Sequence, residues 1–318
     1  MTYKILVTSR SFGQVSEEPI KLLEQNNCSI DFKKESGLYG EEDFLKVIGE
    51  YDAVIVGADH MTAKVIEAGK KLKIICKHGA GVDNIDCEKA KEMGIPVTNV
   101  PATNSDAVAD FAFGLILNIA RKISANAFEV KRGKWNKDIG VDVCKKTLGI
   151  IGCGAIGRRV AKRGQGFDMR VLGYDPYVKE SANLSNIELV DLETLIKESD
   201  FISIHVPLTP DTRNLISSKE MHQMKKGAFI INTARGGIVD ENALYQFLTN
   251  GHLGGAALDV TEQEPIQADS PLLKLDNVII TSHIASYSKE SLNAVSMACA
   301  RNIIKIINNE TPDNIVNK

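Results

Sequence analysis

Three polar residues, each placed shortly after an apolar segment, have side chains suited to acid–base chemistry and to binding a carboxylate. Arg235 follows AFIINTA, Glu264 follows AALDV by a few residues, and His283 follows NVIITS. The planar guanidinium of arginine holds a carboxylate through two hydrogen bonds. An imidazole changes protonation near neutral pH, and a neighbouring carboxylate stabilises its protonated form. Singly, the arginine could cap a helix and the histidine could be structural, but together they favour catalysis.

A glycine-rich loop follows the strand-like run LGII, and the next apolar run ends at Asp175. Gly152 permits a tight turn, Gly154 lets a pyrophosphate approach the backbone, and Gly157 lets the following helix pack closely. Asp175, 18 residues beyond Gly157, is placed to bond a ribose diol and to repel the 2′-phosphate of NADP. The sequence therefore predicts a dinucleotide site that prefers NAD. A turn-forming role of Asp175 before Pro176 is compatible with this one.

The elements that would position these residues alternate between short β-rich apolar runs and helix-compatible segments. This alternation predicts an α/β fold with parallel sheets covered by helices. The first five runs form one set and the remaining six surround the glycine loop, so we expect two doubly wound parallel-sheet domains. The carboxyl ends of parallel strands share one edge, where the three polar residues would converge near the cofactor. The runs are KILVTS, CSIDF, AVIVGA, LKIICK, PVTNV, LGIIG, RVLGYD, FISIHVP, AFIINTA, AALDV and NVIITS.

Two long helical patterns set the expected domain boundaries. Residues 105–123 read as a helix opened by Asn104 or Ser105, both good N-caps. Residues 288–308 carry apolar side chains at helical spacing and are expected to pack on the first domain. The chain would then cross twice between domains, at a hinge near 101–105 and 285–290, with the active site in the cleft. The predicted domains are a discontinuous flavodoxin-like substrate domain, 1–101 plus 288–318, and a Rossmann NAD-binding domain, 102–287.

The composition is that of a soluble globular protein whose partner is a small molecule. The 318 residues are 43% apolar and 25% charged, with a net charge of −3, and the dispersed basic residues indicate neither nucleic acid nor membrane as a partner. The N-terminus has no signal-peptide pattern, and the apolar stretch 111–117 is too short to span a bilayer, so a cytoplasmic location is expected. The six cysteines lack metal-site spacing, which predicts reduced thiols and no metal.

From about Lys73 to the end, an ordered series of segments resembles the D-isomer-specific 2-hydroxyacid dehydrogenases, and most closely the D-3-phosphoglycerate dehydrogenase branch. The matching segments are KHGAGVDNID, NSDAVADFAFGLIL, KTLGIIGCGAIGRRVA, GYDP, HVPLTPDT, NTARGGIVDENAL, GAALDVTEQEP and SHIAS.

The resemblance implies roles for individual residues. Arg235 would bind the substrate carboxylate and carbonyl, Glu264 and His283 would form the acid–base pair, and Asp259 would lie beside the nicotinamide. From its position alone, Asp259 could also cap the loop that follows it. The implied cofactor contacts are Ala155, Ile156, Asp175, Val206, Thr233, Ala234, Asp259, His283 and Ser286, while the backbone of Gly79, Ala80 and Gly81 would face the substrate.

The resemblance also implies an activity and an assembly. The chain would transfer hydride between NAD(H) and a small D-2-hydroxy acid/2-oxo acid pair, with 3-phosphoglycerate and 3-phosphooxypyruvate favoured, which belongs to serine biosynthesis. Glyoxylate or hydroxypyruvate reduction is the alternative within the class, and an NAD(H)-sensing, corepressor-like scaffold is the alternative outside it. Formate oxidation is disfavoured because the formate-oxidising relatives have glutamine where this chain has Glu264. A homodimer joined through the nucleotide-binding domain, partly by the helix after Asn104, is implied.

Several positions depart from the phosphoglycerate dehydrogenase pattern. Lys77 and His78 stand where an arginine and a small residue are usual, and Ala107 and Asp110 replace a serine and a glutamate. Lys77 could still hold a substrate phosphate, as a point charge rather than a fork. The chain stops 35 residues after His283, so we expect no regulatory domain and no feedback by serine.

Overall fold

The computed structural model describes residues 2–33, 38–178, 184 and 186–318. The chain divides into two compact units, the first formed by Met1–Asn104 with Tyr287–Lys318 and the second by Ser105–Ser286.

The first unit contains a five-stranded sheet in the order β2-β1-β3-β4-β5, in which every pair of neighbours is parallel. All four residues of β3 are buried, because helices cover both faces of the sheet. The strands are β1 (Tyr3–Val7), β2 (Cys28–Phe32), β3 (Ala53–Val56), β4 (Ile74–Lys77) and β5 (Val97–Thr98). The helices between them are α1 (Glu18–Glu24), α2 (Glu41–Val47), α3 (Ala63–Ala68) and α4 (Cys87–Glu92), with a 3₁₀ turn at Ile48–Glu50.

The second unit contains a wholly parallel sheet of seven strands. Its strands are β6 (Thr147–Ile151), β7 (Arg170–Tyr174), β8 (Glu188–Leu189), β9 (Phe201–Ile204), β10 (Phe229–Asn232), β11 (Gly255–Leu258) and β12 (Val278–Ile280). Its helices are α5 (Ser105–Arg121), α6 (Ile123–Lys131), α7 (Ala155–Gln165), α8 (Leu192–Glu198), α9 (Ser218–Gln223) and α10 (Glu241–Thr249), with a 3₁₀ turn at Pro271–Lys274.

The strand order of this second sheet is β12-β11-β10-β9-β6-β7-β8. The order reverses at β6, whose neighbours are β9 on one side and β7 on the other. Ligands of doubly wound sheets bind at such a reversal, beyond the carboxyl ends of the strands. The glycine loop follows β6 directly, so the sheet places it at the reversal. The predicted α/β class with two parallel sheets is confirmed, although the sequence predicted six strands here and missed β8.

The helix predicted over 105–123 is wrong at its C-terminal end. It ends at Arg121 because Lys122 adopts a left-handed conformation with φ of 53°, and α6 starts immediately afterwards. At the other end of the chain, α11 (Lys289–Ile307) is opened by Ser288, whose side chain accepts a hydrogen bond from Ser291 N. Its apolar face, which includes Val295 and Ile303, packs against the sheet of the first unit.

Candidate active site

The glycine loop connects β6 to α7 in a conformation that requires glycine. Gly152 has φ of +94°, and a Cβ at Gly157 would lie 2.0 Å from the carbonyl oxygen of Gly152. By contrast, a Cβ built at Gly154 meets no atom within 4 Å, and that residue is exposed. The loop thus turns tightly, and α7 begins directly after it with Ala155 and Ile156. The backbone at Gly154, in the middle of the loop, stays open to an approaching phosphate.

Asp175 follows β7 and is bonded to the glycine loop. Its Oδ2 accepts a hydrogen bond from Cys153 N at 2.9 Å, and its Oδ1 accepts one from Tyr177 N at 3.0 Å. The residue therefore forms a turn and fixes the glycine loop. Each carboxylate oxygen has a second lone pair, so both remain able to accept a ribose hydroxyl.

Glu264 and His283 form a hydrogen-bonded pair. The two atoms are His283 Nδ1 and Glu264 Oε2, 2.8 Å apart. Burial raises the pKa of Glu264, but the hydrogen bond and the charge of His283, the backbone hydrogen bond from Thr261 and the charge of Arg235 together outweigh burial and hold that pKa below its ordinary value. The charge of Arg235 thus acts on the same carboxylate as His283. Because Glu264 engages Nδ1, Nε2 is the ring nitrogen left for proton transfer.

Asp259 holds the loop that carries His283. Its side chain, 1% exposed, accepts hydrogen bonds from Thr281 Oγ1 at 2.6 Å, Ile284 N at 2.9 Å and Ala285 N at 2.8 Å. Its carbonyl oxygen accepts one from His283 N at 2.9 Å. His283 has φ of 56°, a conformation that non-glycine residues adopt only where the surroundings impose it. The loop-capping role of Asp259 is therefore visible in the structure.

The loop after β10 positions Arg235 through Asn232. This buried asparagine donates from Nδ2 to Arg235 O at 2.8 Å and accepts from Ala234 N at 3.0 Å. Its own carbonyl oxygen accepts a hydrogen bond from Asp259 N at 2.9 Å. The Arg235 loop and the Asp259 loop are thus joined at their bases.

The remaining cofactor residues predicted in this unit lie at the same edge of the sheet. Val206 follows β9 and lines the glycine loop, since its Cγ1 would be 2.9 Å from a Cβ at Gly152. Thr233 and Ala234 follow β10, and the buried Thr233 hydroxyl has no hydrogen-bond partner among the described residues. A ligand would supply the missing partner. Ser286 is the last residue of the second unit.

The substrate residues predicted from the resemblance lie in the first unit, at the end of β4. Lys77 Nζ donates to Gly57 O at 2.6 Å and to Asn84 Oδ1 at 2.7 Å. An ammonium has three donors in all, so two of those of Lys77 already serve the fold of its own unit. Lys77 therefore links β4 to the segments of Gly57 and Asn84 within the first unit.

His78 and the Gly79–Gly81 loop are also held by that unit. His78 Nε2 lies 2.9 Å from Ser296 Oγ of α11, and burial together with the charge of Lys77 lowers the pKa of His78 to about 4. The ring is therefore neutral near pH 7. Ala80 O accepts a hydrogen bond from Asn99 Nδ2 at 2.6 Å, which fixes the loop backbone.

Comparison with known proteins identifies the family. Residues 113–285 match the model of the D-isomer specific 2-hydroxyacid dehydrogenase NAD binding domain. A glyoxylate reductase of Korarchaeum cryptofilum is 39% identical over 96% of this chain and 94% of its own length. The chain belongs to the D-isomer-specific 2-hydroxyacid dehydrogenase family. The resemblance found in the sequence is confirmed.

Other members of this family differ from one another in length and in the acid that they are named for. A D-3-phosphoglycerate dehydrogenase of Methanocaldococcus jannaschii is 44% identical over 99% of this chain, but the match covers 59% of that protein. The chain thus spans about three fifths of that relative. The crystal structure of D-lactate dehydrogenase from Aquifex aeolicus, complexed with NAD and lactic acid, superposes with a TM-score of 0.85 and is 29% identical, covering 99% of each chain.

Family membership supports a nicotinamide cofactor, and the residues present fit one. The open backbone at Gly154 suits a pyrophosphate, the remaining lone pairs of Asp175 suit a ribose diol, and the unpaired hydroxyl of Thr233 suits a further polar contact. Among the described residues, no three His, Cys, Asp or Glu side chains gather as metal ligands would.

The sequence did not reveal the residues whose hydrogen bonds fix the Arg235 loop and the Glu264 carboxylate. Asn232 fixes the Arg235 loop, and Thr261 contacts Glu264 through its backbone N–H at 3.3 Å. Both lie inside the segments that carry the resemblance, but neither residue type signals chemistry. Their burial, below 10% exposure for each, emerges only once the loops are folded against each other.

Proposed function

We propose that this chain is an NAD-dependent oxidoreductase that transfers hydride between NAD(H) and a small D-2-hydroxy acid/2-oxo acid pair. The observation that carries the proposal is the 2.8 Å hydrogen bond between His283 and Glu264, within the field of Arg235 and on the sheet edge that bears the glycine loop. A carboxylate-bound imidazole beside a guanidinium suits an oxo acid, which has a carboxylate to hold and a carbonyl to protonate.

Each side chain has a defined task in the reduction of an oxo acid. Arg235 binds the substrate carboxylate and polarises its carbonyl. Glu264 stabilises the protonated ring of His283, which donates its Nε2 proton to the carbonyl oxygen as that oxygen gains charge. A bound nicotinamide would supply the hydride. In the reverse direction the neutral imidazole takes the proton of the hydroxyl group.

Replacement of the acid–base residue tests the activity. His283→Ala should lower kcat by on the order of a hundredfold or more while NADH still binds, as measured by fluorescence titration. His222→Ala, at an exposed histidine of α9, is the matched control and should keep full turnover. Unchanged turnover in His283→Ala would refute the proton-transfer role. An NAD(H)-sensing scaffold would instead bind NADH and reduce none of the oxo acids tested.

The substrate is a choice among three related oxo acids. The identity to a D-3-phosphoglycerate dehydrogenase supports 3-phosphoglycerate and 3-phosphooxypyruvate. A specific observation favours glyoxylate or hydroxypyruvate: Lys77, the cation predicted to hold a phosphate, is bonded to Gly57 and Asn84 instead. Steady-state NADH oxidation with 3-phosphooxypyruvate, hydroxypyruvate and glyoxylate decides between them, because kcat/KM ranks the substrates directly.

We also infer a homodimer that uses the second unit. None of the residues of α6 is buried, and Phe128 within it and Trp135 and Ile139 shortly after it are 58%, 80% and 90% exposed. Apolar side chains clustered in this way mark an interface, and a second copy would cover them. Light scattering should give twice the mass of one chain for the parent, and the mass of a single chain for Trp135→Glu.

No helix among the described residues is long and apolar enough to cross a membrane.

A further inference from the structure

Glu241 reaches from the start of α10 to the loop that carries Glu264. The helix is capped by Asp240, whose side chain accepts a hydrogen bond from Ala243 N at 3.0 Å. Glu241 is the first helical residue, and its Oε1 accepts a hydrogen bond from Glu262 N at 2.6 Å. The side chain is half-buried, and it therefore links the end of a helix to a loop two residues before Glu264.

The loop from Thr261 to Glu264 is held on a second side by the Arg235 loop. A Cβ at Gly236 would lie 1.9 Å from Thr261 O and 2.7 Å from Glu262 N, so the two backbones are in direct contact. Thr261 N then donates to Glu264 Oε1 at 3.3 Å. Between these contacts and the Glu241 bond, the backbone that carries the Glu264 carboxylate has little freedom to move.

The position of Glu241 is electrostatically unfavourable, which argues that the carboxylate is there for its hydrogen bond. Burial, together with the negative charges of Glu262 and Glu264, raises its pKa. Acids in a first helical turn are stabilised by the helix dipole, but an exposed side chain would gain the same benefit without approaching two other carboxylates. The half-buried position of Glu241 is therefore explained by its hydrogen bond to the backbone of Glu262.

We propose that Glu241 is a positioning residue that fixes the Glu264–His283 pair through the backbone of Glu262. This inference rests on the proposed function, because it assigns Glu241 to the same acid–base pair. Glu241 acts through the loop: it lowers the freedom of the carboxylate that must hold His283 in line with the substrate. A misplacement of about 1 Å in such a group costs on the order of a hundredfold in rate, so even partial loosening is measurable.

Two variants of Glu241 and one control variant test the role. Glu241→Ala removes the acceptor and should lower kcat with NADH and the best oxo acid by on the order of tenfold, with the dissociation constant of NADH unchanged. Glu241→Gln keeps an oxygen acceptor and should restore most of that loss. Asp240→Ala removes the cap of the same helix and should lower the melting temperature while kcat stays near that of the parent.

Hydrogen exchange provides a readout that does not depend on turnover. The backbone N–H groups of residues 261–264 should exchange faster in Glu241→Ala than in the parent, but not in Asp240→Ala. The inference is overturned if kcat and this exchange are unchanged in Glu241→Ala, or if Glu241→Gln is as impaired as Glu241→Ala. His283→Ala separates the two levels: full turnover in that variant refutes the proposed function itself, whereas its inactivity with a normal Glu241→Ala refutes the positioning role alone.

Discussion

Replacing Asp259 with asparagine should destabilise the second unit and impair catalysis together. The two carboxylate oxygens accept bonds from the backbone of Ile284 and Ala285 and from the hydroxyl of Thr281. An asparagine has the same shape, but one of its two terminal atoms is a donor. In either orientation of the amide, that donor faces a backbone N–H, so at least one buried hydrogen bond is lost and two donors confront each other.

The expected loss of stability in Asp259→Asn follows from the burial of these hydrogen bonds. Asp259 is 1% exposed, so water cannot replace the lost bond. A hydrogen bond to a charged acceptor contributes about 1.5–3 kcal/mol, and a buried unsatisfied donor costs about 1–3 kcal/mol. A net loss of about 2–4 kcal/mol corresponds to a fall of roughly 5–15 °C in the melting temperature of a unit of this size. The displaced His283 loop should lower kcat by about 10- to 100-fold.

Differential scanning calorimetry and NADH-coupled turnover check both effects in one preparation. Asp142→Asn, whose parent side chain is 83% exposed, is the matched control and should change neither quantity. The interpretation would be refuted by an Asp259→Asn protein that melts within a degree of the parent and retains its kcat. A variant that loses activity at full stability would instead show that Asp259 acts on the cofactor rather than on the loop.

Three further predictions concern groups of the second unit. Asp175→Ala should lower the ratio of kcat/KM for NADH over NADPH by at least about tenfold, equivalent to about 1.4 kcal/mol; an unchanged ratio would remove Asp175 from cofactor selection. Because the folded protein lowers the pKa of Glu264 through the bond to His283, against the effect of burial, its stabilising contribution is present near neutral pH and lost in acid. The melting temperatures of the parent and Glu264→Gln should therefore converge from about pH 6 to about pH 3, and a constant gap would contradict this. Burial and Asp175 raise the pKa of Cys153 to about 11, so iodoacetamide at neutral pH should label the exposed Cys144 well before Cys153, as peptide mass spectrometry would show.

The fold, and the positions of Arg235, Glu264 and His283 just past apolar strands, could be predicted from sequence because their signals are local. A glycine loop between an apolar run and a helix, and polar residues just past apolar strands, follow from chain order alone. The strand β8 was missed because two residues, one of them the exposed Glu188, carry no periodicity. The end of α5 was missed because Lys122 takes a left-handed conformation without the glycine that usually marks one.

The supporting residues were out of reach for a different reason. The side chain of Asn232 bonds backbone groups of Ala234 and Arg235, and that of Glu241 bonds the backbone of Glu262. Such backbone partners leave no trace in residue type. Lys77 illustrates the same limit from the other side: its charge indicates a phosphate ligand, whereas residue type does not reveal that two of its donors bond Gly57 and Asn84. A lysine at a sheet edge can donate to nearby backbone carbonyl oxygens as well as to a ligand, and sequence alone does not show which of these it does.

The way in which the site is anchored separates its residues into two groups with different expected phenotypes. The side-chain tips of the proposed acid–base pair are accessible, since the side chains of Glu264 and His283 are 39% and 48% exposed, and truncating them leaves few buried groups unpaired. The anchors Asn232 and Asp259 are each 1% exposed, and their side chains bond backbone groups of the Arg235 loop and the His283 loop, respectively. Substitution of His283 should therefore remove turnover at nearly full stability, whereas substitution at an anchor should lower both. If His283→Ala melted as far below the parent as Asp259→Asn does, the tips would be part of the scaffold and this division would be wrong.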